Sequence, residues 1–234
     1  MTPRGKPRPD YPTGQRPASR TGPSAAWFCR PADIRLRVTR LRPRVGGMSI
    51  DIPGMGTADW LGALDNLDLL ATPVAASLTA VAEREPDLAA QAVVAAIDPE
   101  FADTDAMTAR YAMDLRLSCN CVLVAGKREG QERIAAAVVR ATAKADVNHV
   151  IKRLLNVRKA SFWPQERAVE ASGMEYGGIT PVGVPEGWRL LLDTRVVEGF
   201  AVIGSGLRSS KLALPGELLA RLPGAEVVEG LATE

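Results

Sequence analysis

The chain has 234 residues, 46% of them hydrophobic, and a formal net charge of +2. That length and apolar content suit one core domain with an appendage. No stretch approaches the roughly eighteen consecutive apolar residues that span a bilayer, and none resembles the apolar core of a secretory signal, so a soluble, cytoplasmic protein is expected.

The small net charge conceals an asymmetry. Residues 1–47 carry eleven Lys and Arg against Asp10 and Asp33, a charge of +9, leaving eighteen cations against twenty-five carboxylates in the rest. Rich in Pro, Arg and Gly and without an apolar period, this segment cannot bury enough surface to offset its ordering entropy. A disordered basic extension is expected over 1–47, and a folded domain over 48–234.

From 58 to 96 the sequence is Ala- and Leu-rich with helical spacing at Leu61, Leu64, Leu67, Leu78, Val81 and Ala82, punctuated by Pro73 and Pro86, which predicts two or three helices. Residues 98–105 read as a loop whose Asp103 or Thr104 caps a short helix through residue 113. Residues 121–125 and 133–139 flank a polar turn at 126–130 and predict a hairpin. Over 146–155, Val147, Val150, Ile151, Leu154 and Leu155 form a helical stripe from which His149, the sole histidine, points away as a surface residue. A short strand is expected at 159–162, then a helix begun by Pro164 and stopped by Gly173. Further strands are expected at 190–193, 200–203 and 226–228, with a helix over 215–222 between the last two. The class is mixed α/β with an irregular order of strands and helices.

Three cysteines, Cys29, Cys119 and Cys121, make an odd count, and the Cys-x-Cys pair on a strand is poorly placed for a mutual bridge, which fits a reducing compartment. With one surface histidine, neither a metal site nor a cofactor is expected. Gly204-Ser205-Gly206 lacks the third glycine of a dinucleotide fingerprint, which is Ser209 here.

Two segments carry the chemistry. In Gly177-Gly178-Ile179-Thr180-Pro181, with Gly183 shortly after, two glycines let the backbone approach a ligand and a proline fixes φ, so the loop offers N–H groups rather than a reactive side chain. About twenty residues on comes Gly204-Ser205-Gly206-Leu207-Arg208-Ser209-Ser210-Lys211-Leu212. Basic residues concentrate in 127–167, where ten cations meet four carboxylates. Among them Lys127, Arg128, Lys152, Arg153, Arg158 and Lys159 suit a substrate with a phosphate tail. Tyr176, Trp163 and Trp188 are either stacking surfaces for a base or core residues.

Residues 173–183 and 204–214, with 98–111, Asn120-Cys121-Val122-Leu123-Val124, Asp146-Val147-Asn148 and Arg158-Lys159-Ala160-Ser161-Phe162, resemble in order the YbaK/EbsC family of aminoacyl-tRNA deacylases over about 97–232. The resemblance implies a compact α/β fold similar to the editing domain of bacterial prolyl-tRNA synthetases, with a mixed curved sheet and surrounding helices. It implies hydrolysis of mischarged aminoacyl-tRNA in trans, with a tRNA synthetase as a possible further partner. It also implies that the 177–181 loop clamps the aminoacyl end while Gly183, Gly204, Ser205, Gly206 and Lys211 contact substrate. Many members carry a lysine where this chain has Asn120, and an amide can orient a carbonyl or hydroxyl but brings no charge. Two readings follow: a deacylase with Asn120 as the orienting group, or a non-catalytic module binding an aminoacyl-tRNA or nucleotide-like ligand.

Overall fold

A computed structural model describes residues 52–233, and before them the backbone of two short strands, β1 (Arg44–Val45) and β2 (Met48–Ser49). Apart from Arg44–Val45, the extension expected over 1–47 lies outside the described residues. The following elements are β3 (Leu61–Gly62), α1 (Thr72–Ala82), α2 (Pro86–Ala89), β4 (Val93–Ala96), α3 (Thr104–Tyr111), β5 (Cys119–Arg128), β6 (Gln131–Arg140) and β7 (Lys144–Ala145). A π-turn (Val147–Ile151) leads into α4 (Lys152–Leu155), β8 (Ala160–Phe162), α5 (Gln165–Ser172), β9 (Arg189–Asp193) and α6 (Thr194–Val197). The chain continues through β10 (Phe200–Gly204), β11 (Ser210–Pro215), α7 (Gly216–Ala220), β12 (Ala225–Val228) and β13 (Ala232–Thr233).

The strands divide between a six-stranded sheet, β10-β11-β4-β3-β1-β2, and a five-stranded sheet, β12-β9-β6-β5-β8, with β13 and β7 as a separate pair. Both larger sheets mix parallel and antiparallel pairs, β9 running parallel to β6 and β12. A bridge between Ser118 and Val202 ties them together just before β5.

Strand alternation explains the layering. In β6, Ala136 and Val138 face the main core with Leu78 of α1, Leu190, Ile203 and Leu212, while Ala135, Ala137 and Val139 face the other way, onto Ile151, Leu155 and Leu231. A third cluster of Trp60, Met107, Val93, Ala95, Val202 and Ala213 covers the far side of the six-stranded sheet. Leu78 is fully buried, and side chains of this kind each contribute about 1.5–3 kcal/mol to folding.

The expected hairpin is present and longer than its apolar core: β5 and β6 pair from Cys119↔Arg140 to Arg128↔Gln131. Glu129 and Gly130 close it with φ of 53° and 80°, the left-handed pair a two-residue turn requires. Gly173 ends α5 with φ 66°, as its position predicts.

Elsewhere the structure corrects the reading. The helices expected across 58–96 shrink to α1 and α2, each opened by its proline, and Leu61 belongs to β3 instead. Pairing of β3 with β4 outweighs the helical propensity of these Leu and Ala residues. The 146–155 helix opens as a π-turn capped by Asp146, whose Oδ1 accepts the N–H of His149. β11, where no strand is expected from sequence, is an interior strand between β10 and β4.

Candidate active site

Strand β8 pairs with β5 only from Val124 to Gly126. The first turn of β5 therefore keeps one edge open, and a cleft of about 340 Å3 forms there. Asn120, Cys121 and Val122 make one wall, Ala102, Asp103 and Thr104 at the start of α3 a second, Tyr176, Gly177 and Ile179 a third, and Gly204 with Lys211 the floor. Of the residues singled out in the sequence, Asn120, Gly177, Ile179, Gly204 and Lys211 meet here. Thr104 donates its hydroxyl to Asn120 Oδ1 at 3.1 Å, which leaves the Asn120 NH2 group as a donor.

The other expected site residues hold the loops from behind. Gly178 is buried, and Gly206 donates its N–H to the Gly178 carbonyl at 2.8 Å. A Cβ on Gly204 would lie 2.2 Å from that carbonyl oxygen, and one on Gly178 would lie 2.5 Å from the Leu207 oxygen, so the two glycine loops touch backbone to backbone. Ser205 is fully buried and bonds to Ser210 Oγ at 2.7 Å. Gly183 packs against Pro73 at the start of α1, while Thr180 and Pro181 are buried. The loop's N–H inventory is thus narrower than its sequence implies. Pro181 has none, Gly178 spends its own on the Glu175 carbonyl, and those of Gly177 and Ile179, at the cleft, have no partner among the described residues.

Lys211, which sequence spacing singles out without placing its amine, lies half-buried on the cleft floor. Its neighbours in register are Gly204 on β10 and Ala95 on β4. Burial pulls its pKa down to about 8, nearby Asp103 holds it up, and Arg208 pushes it further down. Arg208 reaches Asp103 at 3.5 Å and lies so close over Gly177 that a Cβ there would be 2.2 Å from its Nη1. The Arg208 N–H donates to Glu175 Oε2 at 2.6 Å, which fixes one loop to the other.

The two thiols among the described residues are poor nucleophiles. Burial pushes Cys119 up to about 11 against the pull of Arg140, and burial alone takes Cys121 to about 12. Both stay protonated at neutral pH. Trp163 and Trp188 meet edge to face at 5.1 Å and belong to or pack on the main core, leaving exposed Tyr176 as the aromatic at the cleft.

The basic residues expected to meet a phosphate tail do not line the cleft. Lys127 and Arg128 lie at the far end of β5, roughly 23–26 Å from Asn120 at ~3.3 Å per residue. Arg128 donates to Asn156 Oδ1 at 2.6 Å just after α4, which carries Lys152 and Arg153, and Arg158 and Lys159 immediately precede β8. Sequence reasoning missed Thr104 and Arg208. Asp103-Thr104 read only as a helix cap, and Arg208 stood unremarked inside the second glycine segment.

Over residues 98–222, more than half its length, the chain matches the aminoacyl-tRNA editing domain family, and it belongs to that family. Solved structures share the fold. One is a protein described as hypothetical protein APE2540, at 17% identity and TM-score 0.55 over 65% of this chain and 99% of that one. Another is a proposed trans-editing enzyme for prolyl tRNA synthetase, at 16% identity and TM-score 0.54 over 70% and 98%. No curated protein matches the sequence.

Proposed function

We propose that this protein is a cytoplasmic trans-editing deacylase of the YbaK/EbsC type, hydrolysing the ester of a mischarged aminoacyl-tRNA in the cleft beside Asn120. The observation that carries this reading is that one small cavity is lined by Gly177 and Ile179, whose N–H groups have no partner among the described residues, together with Asn120 and Lys211. An aminoacyl ester is already activated, so a positioned water and donors for the developing oxyanion suffice. Water adds to the carbonyl carbon, and the oxyanion is held by the loop N–H groups. The bond from carbon to the ribose oxygen then breaks, that oxygen takes up a proton, and free amino acid and uncharged tRNA leave. Lys211, protonated at neutral pH, supplies the positive charge that Asn120 lacks. Val122, Cys121 and Ile179 bound the amino-acid side, where size selection is worth about 1–3 kcal/mol per methylene. Lys127, Arg128, Lys152, Arg153, Arg158 and Lys159 hold the acceptor arm outside the cleft, and a tRNA synthetase is a fitting partner to supply the substrate.

A panel of labelled alanyl-, seryl-, threonyl-, cysteinyl- and prolyl-tRNAs tests this with the full chain. Turnover of at least one is expected, and Gly178→Val abolishes it while circular dichroism stays native-like. A second reading, a binding module without turnover, draws on the Asn120 oxygen being occupied by Thr104. Tight binding of the same tRNAs with no hydrolysis, and activity appearing in Asn120→Lys, would establish it instead.

A further inference from the structure

A second and larger concavity, about 550 Å3, lies where β8 meets the π-turn. Ala160, Ser161 and Phe162 line one side, and Asp146, Asn148 and His149 the other. Its position relative to the cleft follows from strand register. Asn120, Val122 and Val124 project to one face of β5, and Phe162 stands opposite Val124 on that face. Asn120 and Phe162 are therefore separated by four residues of strand, about 13 Å.

The chemistry of this groove is that of a flat, uncharged ligand with a charged tail. Phe162 is 63% exposed, unusual for a large aromatic. The Asp146 carboxylate is already engaged, its Oδ1 3.0 Å from both the backbone N and the Nδ1 of His149. The imidazole Nε2, the Asn148 amide and the Ser161 hydroxyl remain to pair with a polar edge. Cations stand outside it: exposed Arg158 and Lys159 just before β8, and Lys144 next to Ala145. One exposed aromatic is far smaller than the roughly 800 Å2 per side of a stable protein interface, whereas stacking a single base needs no more.

We propose that this groove is a nucleobase site that stacks an unpaired base of an RNA 3′ strand on Phe162, two to four nucleotides upstream of the terminal nucleotide in the cleft. The spacing follows from ~13 Å of strand against the 3.4 Å rise of stacked neighbours, with looser steps lowering the count. Arg158, Lys159 and Lys144 then meet the intervening and flanking phosphates. The site rests on the reading that the cleft takes an RNA 3′ end, and extends it by making the single-stranded tail, not the terminal residue alone, the recognised unit.

Calorimetric titration of the full chain with oligoribonucleotides of one to five nucleotides, taken from the 3′ end of a tRNA that finishes in cytidine-cytidine-adenosine, at fixed salt, tests it. Affinity is expected to step upward as length passes from two to five. Phe162→Ala removes that step, by about fivefold to a hundredfold, and leaves mononucleotide binding unchanged; Phe162→Tyr restores it. A smooth gain with length that Phe162→Ala does not alter overturns the site, as does equal weakening of every length or absence of binding at all lengths. Turnover of aminoacyl-tRNA without a length step sinks the base site alone. A length step in a protein that hydrolyses nothing keeps the base site and sinks the deacylase reading.

Discussion

Lys211 is a cation kept where solvation is poor, and that has opposite consequences for stability and for chemistry. With its pKa near 8 in the fold and 10.5 in the unfolded chain, the unfolded state binds more protons between those values. Its penalty is therefore fully present below pH 8 and is relieved as pH rises toward 10.5. Lys211→Met should raise the midpoint of thermal unfolding at pH 7, corresponding to about 1–3 kcal/mol. The same substitution should lower kcat/KM for the aminoacyl-tRNA turned over. In the native protein kcat/KM, corrected for spontaneous hydrolysis, should fall as pH passes through about 8 and the amine loses its charge. A rise through that range would instead assign the neutral amine as a base. Arg140 is the contrasting residue. Buried at the end of β6, it donates to the carbonyls of Leu117, Arg195, Val196, Glu198 and Phe200 and contacts Cys119 Sγ at 3.5 Å. Arg140→Met should cost about 2–4 kcal/mol in urea unfolding, because it strands several buried carbonyls at once.

Among the elements, the pieces legible in sequence are those whose local signals agree: the β5–β6 hairpin with its Glu129-Gly130 turn, and α5 between Pro164 and Gly173. What could not be read depends on partners distant in sequence. β3 exists because β4 lies beside it, and β11 opens with a serine and a lysine, yet is held by β10 and β4. The site divides in the same way. Glycine segments announce close backbone approach, but nothing local says that Gly204 meets the Gly178 carbonyl or that Lys211 rather than Lys127 reaches the cavity. That meeting of backbones gives the third prediction: Gly204→Ala forces the two loops apart, costing about 1–3 kcal/mol by overpacking. It should reduce turnover more than Gly183→Ala, whose clash is with Pro73 behind the cleft; steady-state kinetics on both variants decides it.

For the whole molecule, charge and shape are separated along β5, with the cleft at one end and the cations of the hairpin tip at the other. Neutralising the tip should weaken tRNA binding without touching chemistry. Lys127→Gln with Lys159→Gln should reduce the slope of log K against log salt by about 0.7–0.9 for each phosphate that is no longer neutralised, at unchanged kcat. An unchanged slope would place the acceptor arm elsewhere.

The cleft is assembled from residues as far apart as Ala102 and Lys211, and β11, which provides its floor, pairs back onto β4 across more than a hundred residues. On the ribosome, then, a nascent chain has no cleft until β11 has emerged. Translation products cut short before residue 210 lack both Lys211 and the strand that seats it. If the cleft is the deacylase site proposed above, incomplete synthesis therefore yields fragments inert toward charged tRNA.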